Sequence, residues 1–142
     1  MLKLFINRIN AKVDAKGRVV VPASFRKILA GEESLVGRMD AGNRYLVVYS
    51  ESAWEEKVSS LEKRLDEWNE EDNDILMQFV DDAVELTVDV QGRLLLPKAQ
   101  KQRMGVGDEV TFVGMGKRFA IWDKEAYEEN CKKRGVFKVP EL

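Results

Sequence analysis

Val13-Asp14-Ala15-Lys16-Gly17-Arg18-Val19-Val20-Val21-Pro22 returns later in the chain as Val88-Asp89-Val90-Gln91-Gly92-Arg93-Leu94-Leu95-Leu96-Pro97. Both copies read Val-Asp, two variable residues, Gly-Arg, three aliphatics and Pro, at an offset of 75 residues. Such a duplication within 142 residues predicts one body with a pseudo-twofold axis, in which the two arginines act alike from symmetric places. Locally, residues 5–13 and 18–21 read as extended, and Asp14-Ala15-Lys16-Gly17 suits the hairpin loop between them. The Asp side chain can accept from amides of the turn, and Gly supplies the positive φ that closes it.

Outward from the motif, Pro22 opens a short helix reaching Ala30, with Phe25, Ile28 and Leu29 inward, Arg26 and Lys27 outward, and Gly31 as its stop. Residues 45–49 form a strand, and Ser52-Ala53-Trp54-Glu55 reads as a capping box. Trp54, Val58, Leu61, Leu65 and Trp68 recur at helical spacing, which predicts a long amphipathic helix whose tryptophans lie in the core or between subunits. A further helical set, Ile75, Leu76, Phe79 and Val80, follows. The second copy repeats the programme with strands at 84–88 and 93–96, a helix from Lys98, strands near 109–113 and 118–122, and a helix from Asp123. The offset falls from 75 to 73 before the aromatic exits Leu46–Glu56 and Phe119–Glu129, so one connection is two residues shorter. Gln100 stands where the first copy has Phe25, which predicts weaker packing of the second short helix. The end of the chain, from Lys132, is expected to be loosely ordered.

Composition limits the chemistry. With 44% hydrophobic and 34% charged residues the chain reads as globular and soluble, and its length suits one domain. There is no histidine and a single cysteine, Cys131, which excludes imidazole catalysis, a His-ligated metal and an internal disulfide. No apolar run suggests a membrane span or signal core, so the expected place is the cytoplasm. The net charge of -2 is unevenly spread: residues 1–30 carry seven Lys or Arg against Asp14 alone, and residues 86–107 carry four against Asp89 alone. Residues 51–85 hold thirteen acids and three bases. Both copies of the motif thus lie in basic blocks, with the acidic segment expected to face away from any polyanion.

For Arg18 and Arg93 two roles follow: a guanidinium presented to a base edge or phosphate, or an arginine bonding its own turn Asp and fixing the hairpin. Duplication inside two basic blocks favours the first. Asp14 and Asp89, with Gly17 and Gly92, read as turn-orienting residues, since a carboxylate on DNA is repelled unless it orients a neighbour. Lys12, Lys16, Arg26, Lys98 and Lys101 join the candidate DNA-binding set from charge and position, with an ordinary solvated face as their alternative. A symmetric pair of aspartates could also suggest a hydrolytic dyad, but the adjacent arginines oppose proton sharing. No catalytic residue, metal or cofactor is expected.

The paired Asp-x-x-x-Arg signatures, Asp14 with Arg18 and Asp89 with Arg93, each in a Gly-Arg-aliphatic-Pro context with an aromatic-acidic exit, resemble the MraZ family over roughly residues 7 to 130. That family is built from two SpoVT-AbrB-type repeats. The resemblance implies an α+β fold, a swapped-hairpin or double-split β-barrel made jointly by two tandem repeats with flanking amphipathic helices. The chain would then divide into a first repeat at 8–53, a helical connection at 54–82, a second repeat at 83–126 and a C-terminal tail at 127–142. It also implies a nucleoid-associated transcriptional regulator binding double-stranded DNA repeats upstream of a division and cell-wall gene cluster, as a ring-like homo-oligomer. The alternative is a non-catalytic, antitoxin-like protein-interaction module on the same barrel. The signature assigns DNA-facing roles to Asp14, Arg18, Asp89 and Arg93.

Overall fold

The computed structural model of the chain describes residues 1–32 and 34–142. The first copy contributes β1 (Arg8–Lys12), β2 (Arg18–Val20), α1 (Ala23–Ile28), β3 (Ser34–Met39), β4 (Leu46–Ser50) and α2 (Glu51–Glu62). After α3 (Glu70–Val80), the second copy contributes β5 (Val84–Thr87), β6 (Arg93–Leu95), α4 (Lys98–Met104), β7 (Glu109–Gly114), β8 (Phe119–Asp123) and α5 (Lys124–Arg134). The result is a mixed α+β protein with a six-stranded antiparallel sheet, ordered β1-β7-β8-β4-β3-β5, and a two-stranded ribbon, β2-β6.

Exchanging the two copies reverses that sheet order onto itself. β1 pairs with β7 and β5 with β3, so the first strand of each copy is hydrogen-bonded into a sheet edge supplied by the other. Val47 pairs with Ala120 at the β4–β8 junction, and Val19 pairs with Leu94 in the ribbon. Each pair consists of equivalent residues of the two copies, so the pseudo-twofold axis passes through both. Single bridges, Val13 to Val19 and Val88 to Leu94, tie each end of the sheet to the ribbon.

Alternation along the ribbon sends Val19 and Leu94 inward, where they meet Phe25, Phe112 and Phe119 in one continuous core. Phe5, held by a bridge to Gly116, closes on Phe25 and Phe119 with ring centroids 5.1 and 5.0 Å away. Edge-to-face and tilted aromatic contacts of this kind add to the area that each ring buries.

Several local expectations change. The extended run at 5–13 is interrupted at Asn7, whose φ is 77°, so β1 starts at Arg8. The first short helix stops at Ile28 rather than Ala30. β3, which the sequence reading did not identify, is the counterpart of β7 at the unchanged offset of 75. The two-residue difference between the copies therefore falls in the β3–β4 loop. Ser50, not Ser52, caps α2: its hydroxyl accepts from the Ala53 amide at 3.2 Å, while Ser52 donates to Glu32. Asp123 is its counterpart and caps α5 in the same way, accepting from the Ala126 amide at 3.0 Å.

The long amphipathic helix ends at Glu62, short of the Trp68 that its periodicity predicts, and the further helical set of Ile75, Leu76, Phe79 and Val80 forms α3. Asp66 accepts from the Trp68 amide at 3.0 Å, and Asn69 starts α3 by accepting from Asp72, so local turn chemistry replaces the helical ladder after Glu62. Of the two places expected for the tryptophans, the core does not hold Trp68, which is 87% exposed in the single chain, whereas Trp54 stacks on Phe79 at 5.1 Å. Gln100 is one of the two buried residues of α4, and α5 carries regular structure to Arg134, beyond the point where the tail was expected to begin.

Candidate nucleic-acid interface

Each hairpin turn is closed by one carboxylate. Asp14 Oδ1 accepts from the amides of Lys16 and Arg18, both at 2.9 Å, and Asp14 Oδ2 accepts from Arg18 Nε at 2.8 Å. The second turn repeats this: Asp89 Oδ1 accepts from the amides of Gln91 and Arg93 at 2.9 Å, and Oδ2 from Arg93 Nε at 2.9 Å. Gly17 and Gly92 take φ of 84° and 79°, a region that a side chain makes costly, and each donates its amide to the carbonyl of the turn Asp.

The amide of Arg18 contributes most to holding the Asp14 carboxyl down at about 2, with further help from its guanidinium and from the Lys16 amide. The amide of Arg93 lowers Asp89 in the same sense. Both carboxylates are thereby stabilised in their charged form, the opposite of what a proton-sharing dyad requires. Among the described residues, no three or more of His, Cys, Asp and Glu come together as a metal site would require.

An arginine bonded through Nε is fixed in direction but keeps its outer nitrogens. Among the described residues, Nη1 and Nη2 of Arg18 and Arg93 make no hydrogen bond, and the two side chains are about 30% exposed. The ribbon register sets Arg18 opposite Leu95 and Arg93 opposite Val20, so both arginines stand on the face turned away from the core. The two forks are therefore presented together on one short β-ribbon, related by the axis through Val19 and Leu94.

The remaining basic candidates divide by position. Arg26 of α1 reaches across to the second turn, where a side chain added at Gly92 would overlap its guanidinium; Lys101 of α4 reaches the first turn, with Nζ 3.5 Å from the place of a Cβ at Gly17. Each copy thus lends a cation to the other copy's turn. Lys16 is exposed at the tip of the first turn, Lys98 is exposed at the start of α4, and Lys12 is exposed at the end of β1, across from Glu109. Among the described residues, no acidic side chain of α2 or α3 bonds to either turn.

Sequence reasoning did not single out Arg44 and Arg103. Asp40 accepts from the Arg44 amide at 2.6 Å and from Arg44 Nε at 3.0 Å, the same closure as in the two hairpins, with Asn43 in place of the glycine at φ 55°. The Asp-x-x-x-Arg spacing at 40–44 was visible in the sequence but lacked the aliphatic-Pro context. Arg103 makes a paired bridge to Asp82 at 2.8 and 2.9 Å and also donates to Asn43, tying α4 to the α3 exit and the β3–β4 loop. That bridge lowers the Asp82 carboxyl, chiefly through the hydrogen bonds from Arg103.

A family model described as "MraZ protein, putative antitoxin-like" matches residues 4–77 and 79–136. The chain is 41% identical to a Bacteroides fragilis protein named "Transcriptional regulator MraZ" over 127 residues, 88% of this chain and 80% of the relative. Proteins of the same name from Bacteroides thetaiotaomicron and Coxiella burnetii are 40% and 34% identical. These alignments cover 88% and 82% of this chain, and 81% and 77% of the respective relatives.

Proposed function

The chain belongs to the MraZ family, and from that premise we propose that it is a transcriptional regulator that binds double-stranded DNA sequence-specifically through the β2–β6 ribbon. The observation that carries this reading is the pair of arginines fixed through Nε with their Nη nitrogens free on one outer face. A two-stranded ribbon fits the major groove, and a guanidinium fork suits the O6 and N7 acceptors of guanine. Lys12, Lys16, Arg26, Lys98 and Lys101 would meet phosphates, adding affinity without sequence information. Asp14 and Asp89 orient the reading arginines and perform no catalysis.

In the same reading the protein has no cofactor. It assembles as a ring-like homo-oligomer on the nucleoid and binds spaced repeats upstream of the division and cell-wall gene cluster containing its own gene. Several ribbons on one DNA would raise the effective concentration of each. The bridges at Val13 and Val88 support treating sheet and ribbon as a split barrel with exchanged hairpins.

Fluorescence anisotropy with the DNA upstream of its own gene and a shuffled control, at two salt concentrations, tests this. Salt-sensitive preference for the upstream DNA, lost in Arg18→Ala or Arg93→Ala, is expected. No preference, or no effect of either substitution, would overturn it. The family description also favours a second reading, an antitoxin-like protein-interaction module. That module would keep its partner when both arginines are removed.

A further inference from the structure

Val20 and Leu95 stand out on the ribbon because the residues beside them are fully covered. Val19 and Leu94 are 1% and 0% exposed, whereas Val20 is 51% and Leu95 55% exposed. Residues two apart on a strand share a face, so Val20 lies beside Arg18 and Leu95 beside Arg93. The register adds the cross-strand neighbours, Leu95 opposite Arg18 and Val20 opposite Arg93. Directly opposite side chains have Cβ atoms about 4.5–5.5 Å apart, close enough for one ligand surface to meet both. The outer face is therefore a four-residue patch in which every guanidinium has an aliphatic beside it along the strand and another across it.

We propose that Val20 and Leu95 are specificity-determining residues that read the C5-methyl groups of thymines next to the bases met by Arg93 and Arg18. This rests on the reading of the ribbon as a DNA-binding surface. In the major groove, thymine alone presents an apolar group among donors and acceptors, and aliphatic side chains are its natural contact. The patch pairs that apolar feature with a fork suited to guanine, and the pseudo-twofold supplies the combination twice. A second copy of this chain fits less well, since an isologous contact would bring four arginines together. DNA complements both the charge and the apolar spots.

The test uses duplex amplified from the upstream DNA with dTTP, the same duplex amplified with dUTP, and shuffled controls of each. Uracil keeps thymine's hydrogen-bonding edge and lacks only its methyl. Losing one buried methyl contact corresponds to about fourfold in affinity, and losing two to about fifteenfold. Wild-type protein is expected to bind the uracil duplex weaker by that factor, whereas a Val20→Ser, Leu95→Ser variant binds both duplexes alike. Both residues are on the surface, and circular dichroism and sedimentation of the variant are expected to match wild type. Equal wild-type affinity for the two duplexes, with preference over shuffled DNA retained, overturns the methyl-reading role and leaves the regulator reading intact. No preference over shuffled DNA removes both. Discrimination that persists in the variant, or a variant with a changed oligomeric state, also overturns the proposal.

Discussion

The turn at Asp14 and the loop at Asp40 hold an arginine by the same bonds, an amide and Nε of the residue four positions on, yet the two guanidinia end in different surroundings. Arg44 lies over the rings of Tyr45 and Trp122, with its carbon 5.3 and 5.6 Å from their centroids, and its Nη1 donates to Asn130 at 3.3 Å. Its role is absorbed by the protein's own aromatic cluster. Arg18 has the same inner partner and no outer one among the described residues, and its counterpart Arg93 repeats the situation. The Asp-x-x-x-Arg unit is thus a device for aiming a guanidinium. What lies in the line of aim separates a structural arginine from one available to a ligand.

The sharpest way to break this comparison is to remove the aimed groups. The double substitution Arg18→Ala, Arg93→Ala is expected to abolish preference for the upstream DNA, and either single substitution to weaken it roughly 5- to 150-fold. Arg44→Ala is expected to leave DNA affinity within about twofold and to lower thermal stability, because it uncovers Trp122 and frees Asp40. Equal losses in anisotropy from Arg18→Ala and Arg44→Ala would show that aim does not matter.

Next come the glycines. Forcing a side chain into positive φ costs about 1–2 kcal/mol, so Gly17→Ala and Gly92→Ala should both lower the urea midpoint. Only at Gly92 does the new methyl overlap the Arg26 guanidinium, which must move; the Gly17 methyl would meet Lys101 Nζ at an ordinary 3.5 Å. Gly92→Ala is therefore expected also to reduce the salt dependence of DNA binding, by about one unit of slope, while Gly17→Ala leaves it unchanged.

The smallest effect is that of acid. The Asp14 carboxyl is lowered from 3.8 to about 2 by the fold, so its contribution to stability is present above about pH 4 and is lost as pH falls through 2. Asp89 shifts the same way. Carboxyl NMR titration should show both midpoints below 3.8, and Arg18→Ala should raise only that of Asp14. A normal midpoint in the wild type would mean that the turn is open in solution.

The hairpins were legible in the sequence because their residues are locally determined: Asp for the amides, Gly for the positive φ, aliphatics alternating beyond. β3 was not, because Gly37 and Arg38 read as interruptions within Ser34–Met39. Gly37 is there for closeness, since a Cβ would lie 2.9 Å from Leu86 and 3.1 Å from Leu46. Comparison with β7 at the same offset carried the missing signal, as did Asp123 for the cap at Ser50. Which copy β1 would pair with left no trace in the hydrophobic pattern, which is the same whether the partner is β3 or β7; the resemblance to a swapped-hairpin family alone pointed to an exchange. The cross-reach of Arg26 and Lys101 depends on that pairing and was hidden for the same reason. Gln100, buried where its counterpart Phe25 joins the aromatic core, shows that the two copies have diverged in packing more than at their turns.

The exchange of first strands also sets a timetable for synthesis. Ile9 pairs with Phe112, so β1 leaves the ribosome well before its hydrogen-bonding partner has been made. At usual rates of translation the wait is roughly 5–20 s, long compared with the collapse of a small domain. During that time an unpaired strand edge is a hazard for nascent chains on the same message. The exposed positions of β1 are Arg8, Asn10 and Lys12, two of them charged, which suits a strand that must remain solitary until the second half of its own chain arrives.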